Sequence, residues 1–198
     1  MNILDAGFIV FAYLIGSLSA AVITSRVLGL EDPRTYGSKN PGATNVLRES
    51  GKKAAVITLL GDCIKGVVPV VAARYAGVEI AMLAWVALAA FLGHCFPVFF
   101  GFKGGKGVAT ALGVYLALAW QIALILLSIW LVMAVVFRIS SLSALVAATA
   151  APALFYWMGK PQDWFIASII MSLLLIWRHK SNIQNLLSGK EERISSDK

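Results

Sequence analysis

Carboxylates are scarce in this chain, which has ten Asp and Glu among 198 residues against seventeen Lys and Arg. The acids near the polar segments described below are Glu31, Asp32, Glu49 and Asp62. A Mg²⁺ site needs several oxygen ligands, so this shortage argues against metal-assisted chemistry. The two cysteines, Cys63 and Cys95, lack the spacing of a zinc site and are interpreted as buried, inert thiols. No metal or cofactor is therefore expected.

Charge of either sign is also rare, because only 14% of residues are charged while 59% are hydrophobic and the mean hydropathy is +0.81. A soluble protein is excluded by this composition. The cations fall between long apolar runs, a pattern that sets orientation in a membrane, so nucleic acid is not expected as a partner. The length indicates one domain, residues 1–198. No basic segment precedes the first apolar run, which is therefore interpreted as a retained span.

The apolar runs predict seven transmembrane helices in an all-α polytopic membrane protein. The predicted spans are residues 8–28, 54–73, 80–100, 108 to about 119, about 121–137, 142–157 and 164–177. The run 108–137 is divided because one helix of that length would be about 45 Å long, against roughly 30 Å of hydrocarbon. With the N-terminus periplasmic and the C-terminus cytoplasmic, fourteen cations, Lys198 among them, lie in inside segments and two outside. This asymmetry favours that orientation.

The first of three polar segments, residues 37–48, reads Gly-Ser-Lys-Asn-Pro-Gly-Ala-Thr-Asn-Val-Leu-Arg. Asn-Pro-Gly favours a turn, because proline fixes φ and glycine adopts conformations that other residues avoid. The hydroxyls, amides, N–H groups and cations that remain can hold a phosphate. From this segment alone, an ordinary basic cytoplasmic loop is an equally good interpretation. The candidate site residues here are Ser38, Lys39, Asn40, Gly42, Thr44, Asn45 and Arg48.

The second polar segment, residues 101–107, reads Gly-Phe-Lys-Gly-Gly-Lys-Gly and precedes a helix predicted to begin at Val108. A glycine-rich turn before a helix N-terminus can bind an anion, because bare N–H groups and the helix dipole point to the same place. The pattern is not a nucleotide P-loop, since no hydroxyl follows Lys106. The alternative is a flexible turn between helices. The candidates here are Lys103, Gly104, Gly105, Lys106 and Gly107.

The third polar segment follows the last span, where residues 178–187 predict a short amphipathic helix on the membrane surface. Its candidates are His179 and Asn182. Ser141, in the turn before the span 142–157, is a further candidate.

Three polar residues in the predicted spans need a separate interpretation. Asp62 and Lys65 lie three residues apart, so they can pair with each other or face a wet cavity. The residue five positions after His94 is Phe99, so the His-x-x-x-x-Asp arrangement of one large acyltransferase class is absent. His94 is therefore interpreted as a structural or loop-anchoring histidine rather than a base.

The chain resembles the bacterial acyl-phosphate–glycerol-3-phosphate acyltransferases, integral membrane enzymes of phospholipid synthesis. Three segments carry the resemblance: residues 37–48, then 93–110 (Gly-His-Cys-Phe-Pro-Val-Phe-Phe-Gly-Phe-Lys-Gly-Gly-Lys-Gly-Val-Ala-Thr), then 179–187 (His-Lys-Ser-Asn-Ile-Gln-Asn-Leu-Leu). Their order and their positions after apolar spans also match. The first two segments are long and specific, and the third is short and weaker alone.

The resemblance implies transfer of an acyl chain from acyl-phosphate to the 1-hydroxyl of glycerol 3-phosphate, giving lysophosphatidic acid and phosphate. The implied catalytic residues are Ser38, Arg48, Lys106, His179 and Asn182, with Arg48 holding substrate phosphate. The implied substrate-binding residues are Lys39, Asn40, Gly42, Thr44, Asn45, Lys103, Gly104, Gly105, Gly107 and Ser141. Departing phosphate is favoured over His179 as the group that accepts the hydroxyl proton.

The expected partners are the two substrates, membrane lipid and the soluble enzyme that makes acyl-phosphate. The expected location is the bacterial inner membrane, with the active site on the cytoplasmic side. Transport of phosphate or an organic anion is the alternative. It is disfavoured because the polar groups lie near the surface and no internal repeat is found.

Overall fold

The computed structural model describes residues 2–194, so Lys198, counted above as a cytoplasmic cation, lies outside the described residues. Within this range the regular structure is helical, as predicted, and includes a short 3₁₀ turn at Val98–Phe100. The α-helices are α1 (Ile3–Gly16), α2 (Ala20–Val27), α3 (Ala43–Ser50), α4 (Lys52–Tyr75), α5 (Met82–Cys95), α6 (Val108–Phe137), α7 (Ser140–Trp157), α8 (Gln162–Arg178) and α9 (Lys180–Leu187).

Among the residues that the structure describes, four helical segments are long and apolar enough to cross a membrane: α4, α5 with its continuation to Phe100, α6 and α7. A fifth span is reached if the bent pair α1 and α2 counts as one. The α8 helix has 17 residues, fewer than the roughly 20 that cross 30 Å of hydrocarbon without thinning of the bilayer. These lengths support a polytopic all-α protein. The count of seven spans and the orientation of the termini stay predictions.

The helices pack closely where glycine replaces a side chain. The main contacts join α4 to α6, α1 to α5, α6 to α7, and α7 to α8. A Cβ atom on Gly16 of α1 would collide with the backbone of Ala90 in α5, and one on Gly113 of α6 would collide with that of Cys63 in α4. Such small residues let helix backbones approach in a membrane, where van der Waals packing drives association.

Two helix breaks shape the bundle, and a cation of α4 bonds a carbonyl at each. The run predicted as one span, residues 8–28, is instead two helices bent by 45° at residues 17–19. Lys65 Nζ donates to the Leu18 carbonyl at 2.7 Å. The predicted break in the run 108–137 is confirmed at Ala119, which has φ −150° and ψ 82°. Arg74 donates to the neighbouring Leu118 carbonyl at 3.3 Å. A carbonyl freed at membrane depth is costly without such a donor.

Candidate functional site

The first polar segment folds into a loop that leads into α3. Asn45, buried in α3, holds this loop: its Oδ1 accepts the Ser38 N–H at 3.0 Å, and its Nδ2 donates to the Pro33 carbonyl at 2.9 Å. Lys39 adopts a left-handed φ of +56° at the tip. Arg48 lies in the last turn of α3, so the helix fixes where its guanidinium group can reach.

The glycine segment is held against α5 and α8. The Gly105 N–H donates to the His94 carbonyl at 3.2 Å. Arg178, at the end of α8, donates to the carbonyls of Gly105 at 3.1 Å and Gly104 at 2.6 Å. A Cβ on Gly105 would collide with the His94 ring, so only glycine fits this position without movement. The next residue with a side chain is Lys106, followed by Gly107 at the start of α6, as predicted.

The third segment forms the predicted short helix, α9, and brings a polar side chain to the glycine segment. Lys106 Nζ donates to Asn182 Oδ1 at 2.5 Å. Asn182 Nδ2 donates to Glu191 Oε1 at 2.6 Å, and the Ser141 hydroxyl donates to the same oxygen at 2.6 Å. Four residues from four separate parts of the chain therefore meet through one carboxylate and one amide.

The first segment joins this cluster through the residues that follow α9. Arg48 Nη1 forms an ion pair with Glu192 Oε2 at 2.5 Å. The Thr44 and Ser140 hydroxyl oxygens lie 3.1 Å apart and connect α3 to the start of α7. All three polar segments thus converge at one end of the helix bundle. A concentration of cations, amides and hydroxyls at this end can bind phosphorylated molecules.

Lys106 and His179 are the poorly hydrated members of this cluster. Burial lowers the pKa of the Lys106 ammonium group, and the nearby Glu191 carboxylate acts in the opposite direction. Burial also lowers the pKa of His179 to about 4. The His179 Nδ1 atom lies 2.8 Å from the Leu175 carbonyl, which can only accept, so Nδ1 carries the hydrogen. At neutral pH the ring is therefore uncharged, with its lone pair on Nε2.

Some sequence candidates are not brought into contact with this cluster. Within residues 2–194, the side chains of Ser38, Lys39 and Lys103 are exposed and form no hydrogen bond or ion pair. Asn40 and Gly42 shape the turn, since the Gly42 N–H donates to the Asn40 carbonyl at 2.9 Å. These five residues therefore lie outside the hydrogen-bonded cluster around Lys106, Asn182 and Glu191.

The structure adds residues that the sequence did not indicate. The acids expected near the polar segments do not include Glu191 and Glu192. That expectation is wrong, because both side chains contact residues of the site. The pair of adjacent acids in an otherwise basic tail was the available signal. Arg178, which the sequence does not single out from the other basic residues of the tail, holds the glycine segment.

The polar residues of α4 and α5 form a buried group behind the glycine segment. Lys65 Nζ lies 2.8 Å from Asp62 Oδ1, and His94 Nδ1 lies 3.4 Å from the same oxygen. The alternative left open for Asp62 and Lys65 is thus decided in favour of a buried pair. His94 anchors the loop through its carbonyl and ring, as the sequence interpretation expected.

Comparison with known proteins agrees with this arrangement. The chain matches the family model described as Glycerol-3-phosphate acyltransferase over residues 6–189. It is 55% identical over 187 residues to a glycerol-3-phosphate acyltransferase of Methylococcus capsulatus, covering 94% of each chain. A protein of the same description from Neisseria meningitidis is 58% identical over 187 residues, covering 92% of this chain and 94% of the relative. The chain belongs to the glycerol-3-phosphate acyltransferase family. The resemblance found in the sequence motifs is confirmed.

Two solved structures also resemble this member of the glycerol-3-phosphate acyltransferase family. Both are of PlsY (YgiH), an integral membrane glycerol 3-phosphate acyltransferase. The glycerol 3-phosphate form gives a TM-score of 0.92 at 39% identity and covers 97% of this chain and 96% of that chain. The lysophosphatidic acid form gives a TM-score of 0.90 at 38% sequence identity, with the same coverage of both chains. The helix arrangement described above is therefore the arrangement of an integral membrane acyltransferase.

Proposed function

We propose that this protein transfers an acyl chain from acyl-phosphate to the 1-hydroxyl of glycerol 3-phosphate, releasing lysophosphatidic acid and inorganic phosphate. The observation that carries the proposal is the convergence of Arg48, Lys106 and Asn182, each from a different polar segment, at one end of an apolar bundle. Both substrates bring a phosphate, and the donor also brings an acyl chain. A basic cluster beside apolar helices suits this combination.

Arg48 and Lys106 bind phosphate in this scheme, and Ser141 and Asn182 orient the bound groups. Burial of Lys106 supports its role, because a poorly hydrated ammonium group gains more from an arriving anion than a hydrated one. Gly104, Gly105 and Gly107 form the loop that cradles phosphate in this scheme. A Cβ atom on each would collide with His94 or Phe91, so the glycines let the loop pack closely against α5 and thereby place Lys106. Ser38, Lys39, Asn40, Gly42, Thr44, Asn45 and Lys103 contact substrate or support the loops that do.

The chemical step follows from the donor. The 1-hydroxyl oxygen attacks the acyl carbonyl carbon, the bond from that carbon to the phosphate oxygen breaks, and the hydroxyl proton passes to the departing phosphate. Acyl-phosphate is already activated, so positioning and charge stabilisation supply most of the catalysis. A pKa of about 4 makes His179 a weak base, which supports the phosphate as proton acceptor.

The membrane placement is the second part of the proposal. Seven spans, a periplasmic N-terminus and a cytoplasmic C-terminus put the cluster at the cytoplasmic face of the inner membrane. The excess of inside cations supports this orientation. The acyl chain then lies among the helices, while the soluble enzyme that makes acyl-phosphate delivers it from the same side.

The test is product formation by the purified protein from radiolabelled glycerol 3-phosphate, with acyl-phosphate or acyl-CoA as the donor. Labelled lysophosphatidic acid is expected with acyl-phosphate and not with acyl-CoA. Product from acyl-CoA at an equal rate would contradict the proposed donor, and no product from either would contradict the proposed reaction.

A further inference from the structure

The residues after α9 run back across the site as a strap, defined here as residues 190–194. The strap begins where the Lys190 N–H donates to the Asn185 carbonyl at 2.8 Å, and it reaches the start of α7, where the Ile194 N–H donates to the Arg138 carbonyl at 2.6 Å. The family match ends at residue 189, so the strap lies beyond it. Its two acidic side chains, Glu191 and Glu192, point to different partners.

Glu192 forms an ion pair with Arg48. Its carboxylate pairs with Arg48 Nη1, while Arg48 Nη2 donates to the backbone carbonyls of Glu192 at 3.1 Å and Arg193 at 3.4 Å. The Arg48 side chain is 19% exposed, whereas that of Glu192 is 72% exposed. The guanidinium group is thus largely enclosed, and the carboxylate that reaches it comes from the water side.

Glu191 plays a different part, because two donors hold it. The Ser141 hydroxyl and the Asn182 amide both donate to its Oε1 atom. These bonds fix the strap at Glu191, and the fixed backbone presents the next side chain, Glu192, to Arg48. The carboxylate of Glu192, by contrast, is bound to Arg48 and is open to solvent.

A carboxylate and a phosphate compete for the same donors of an arginine. Guanidinium binds both through parallel N–H donors in the same planar geometry. An arriving phosphate that binds Nη1 of Arg48 must therefore displace the Glu192 carboxylate. The exposed carboxylate can turn into water, while Glu191 keeps the strap in place.

We propose that Glu192 is an internal anion that occupies Arg48 in the free enzyme and is displaced by substrate phosphate, so that it sets the apparent affinity for glycerol 3-phosphate. This inference rests on the proposed function, in which Arg48 binds phosphate. The opposite possibility is that Glu192 holds Arg48 in its active position. The two roles change KM in opposite directions.

Glu192→Gln tests the proposal, because it keeps the length of the side chain and removes its charge. We expect the KM for glycerol 3-phosphate to fall about two- to fivefold, the strength of a largely exposed ion pair, with little change in kcat. The dissociation constant for glycerol 3-phosphate, measured by calorimetry in the absence of donor, should fall by the same factor. A KM that is unchanged or raised would overturn the proposal.

Glu49→Gln is the matched control. Glu49 follows Arg48 in α3, its side chain is exposed, and it forms no ion pair within residues 2–194. The variant removes the same charge from the same region without releasing Arg48, so its KM should stay near that of the wild type. An equal fall in KM in both variants would show that any nearby negative charge has this effect, and it would overturn the specific role of the Glu192–Arg48 ion pair.

Arg48→Ala separates this inference from the proposed function. The effect of Glu192→Gln on KM should disappear when Arg48 is alanine, as expected for two residues that act through one contact. If the effect persists, Glu192 acts elsewhere and the inference is wrong. If Arg48→Ala itself leaves KM unchanged in a folded protein, Arg48 does not bind the phosphate, and that assignment in the proposed function is wrong as well.

Discussion

Replacing Lys106 by methionine removes one ammonium group from the site and keeps a side chain of similar length. In the structure this ammonium group donates to Asn182 Oδ1 at 2.5 Å, and Nδ2 of the same amide donates to Glu191. Lys106 is the only side chain through which the glycine segment bonds α9 among the residues described. The substitution therefore tests whether this junction binds phosphate or only joins two elements.

The expected size follows from the chemistry of the contact. A hydrogen bond to a charged group contributes about 1.5–3 kcal/mol. With 1.4 kcal/mol for each tenfold change in an equilibrium constant, the KM for glycerol 3-phosphate should rise about 10- to 140-fold. The bond to Asn182 also involves the charged ammonium group, so its loss should cost the folded state about 1.5–3 kcal/mol, which lowers the Tm by roughly 3–12 °C in a chain of this size.

Initial rates at varied glycerol 3-phosphate and saturating acyl-phosphate measure the effect. Lys53→Met is the matched control, because Lys53 is an exposed lysine in the first turn of α4 and has no part in the proposed site. Its KM should stay within about twofold of the wild-type value, the range of a surface charge. A folded Lys106→Met protein with wild-type KM would refute the phosphate-binding role.

Four further predictions address the surroundings of the site. With its pKa near 4, His179 should give the NMR signals of a neutral, Nδ1-protonated ring throughout pH 5.5–8. These signals are assigned by their loss in His179→Gln. Titration of the ring near pH 6.5 would contradict its burial. Because folding lowers this pKa, the protein should lose thermal stability as the pH falls from about 6.5 toward 4, and less so in His179→Gln. Gly105→Ala should raise KM roughly ten- to a hundredfold, since its methyl group would push the loop from the His94 ring. A wild-type KM would show that the loop position is unimportant. Lys65→Met should destabilise by about 3–5 kcal/mol because it leaves the buried Asp62 carboxylate without its lysine cation. A second change, Asp62→Asn, should restore part of the lost Tm.

Local chemistry made much of this fold predictable. The start of α6 at Val108 follows from the glycines before it, and the break at Ala119 follows from a run too long for one crossing. The short α9 helix follows from its spacing of apolar residues. The three polar segments were recognisable because hydroxyls, amides and glycines are unusual between apolar runs.

Contacts between distant parts of the chain could not be predicted in the same way. At the bend between α1 and α2, the Leu18 carbonyl is bonded by Lys65, which lies forty-seven positions away in the sequence. The roles of Glu191 and Glu192 depend on a strap that turns back to Ser141 and Arg48, and no local pattern indicates that path. A polar tail can adopt many conformations, and the contacts that select one of them come from residues far away in the sequence.

Whether the three polar segments lie on one side of the membrane tests the account most directly. Single cysteines at three exposed lysines, Lys39, Lys103 and Lys180, can be introduced after Cys63 and Cys95 are replaced by alanine. A maleimide that does not cross membranes should label all three in inverted vesicles and none of them in intact spheroplasts. Labelling of any one from the periplasmic side would contradict a single cytoplasmic site built from all three segments.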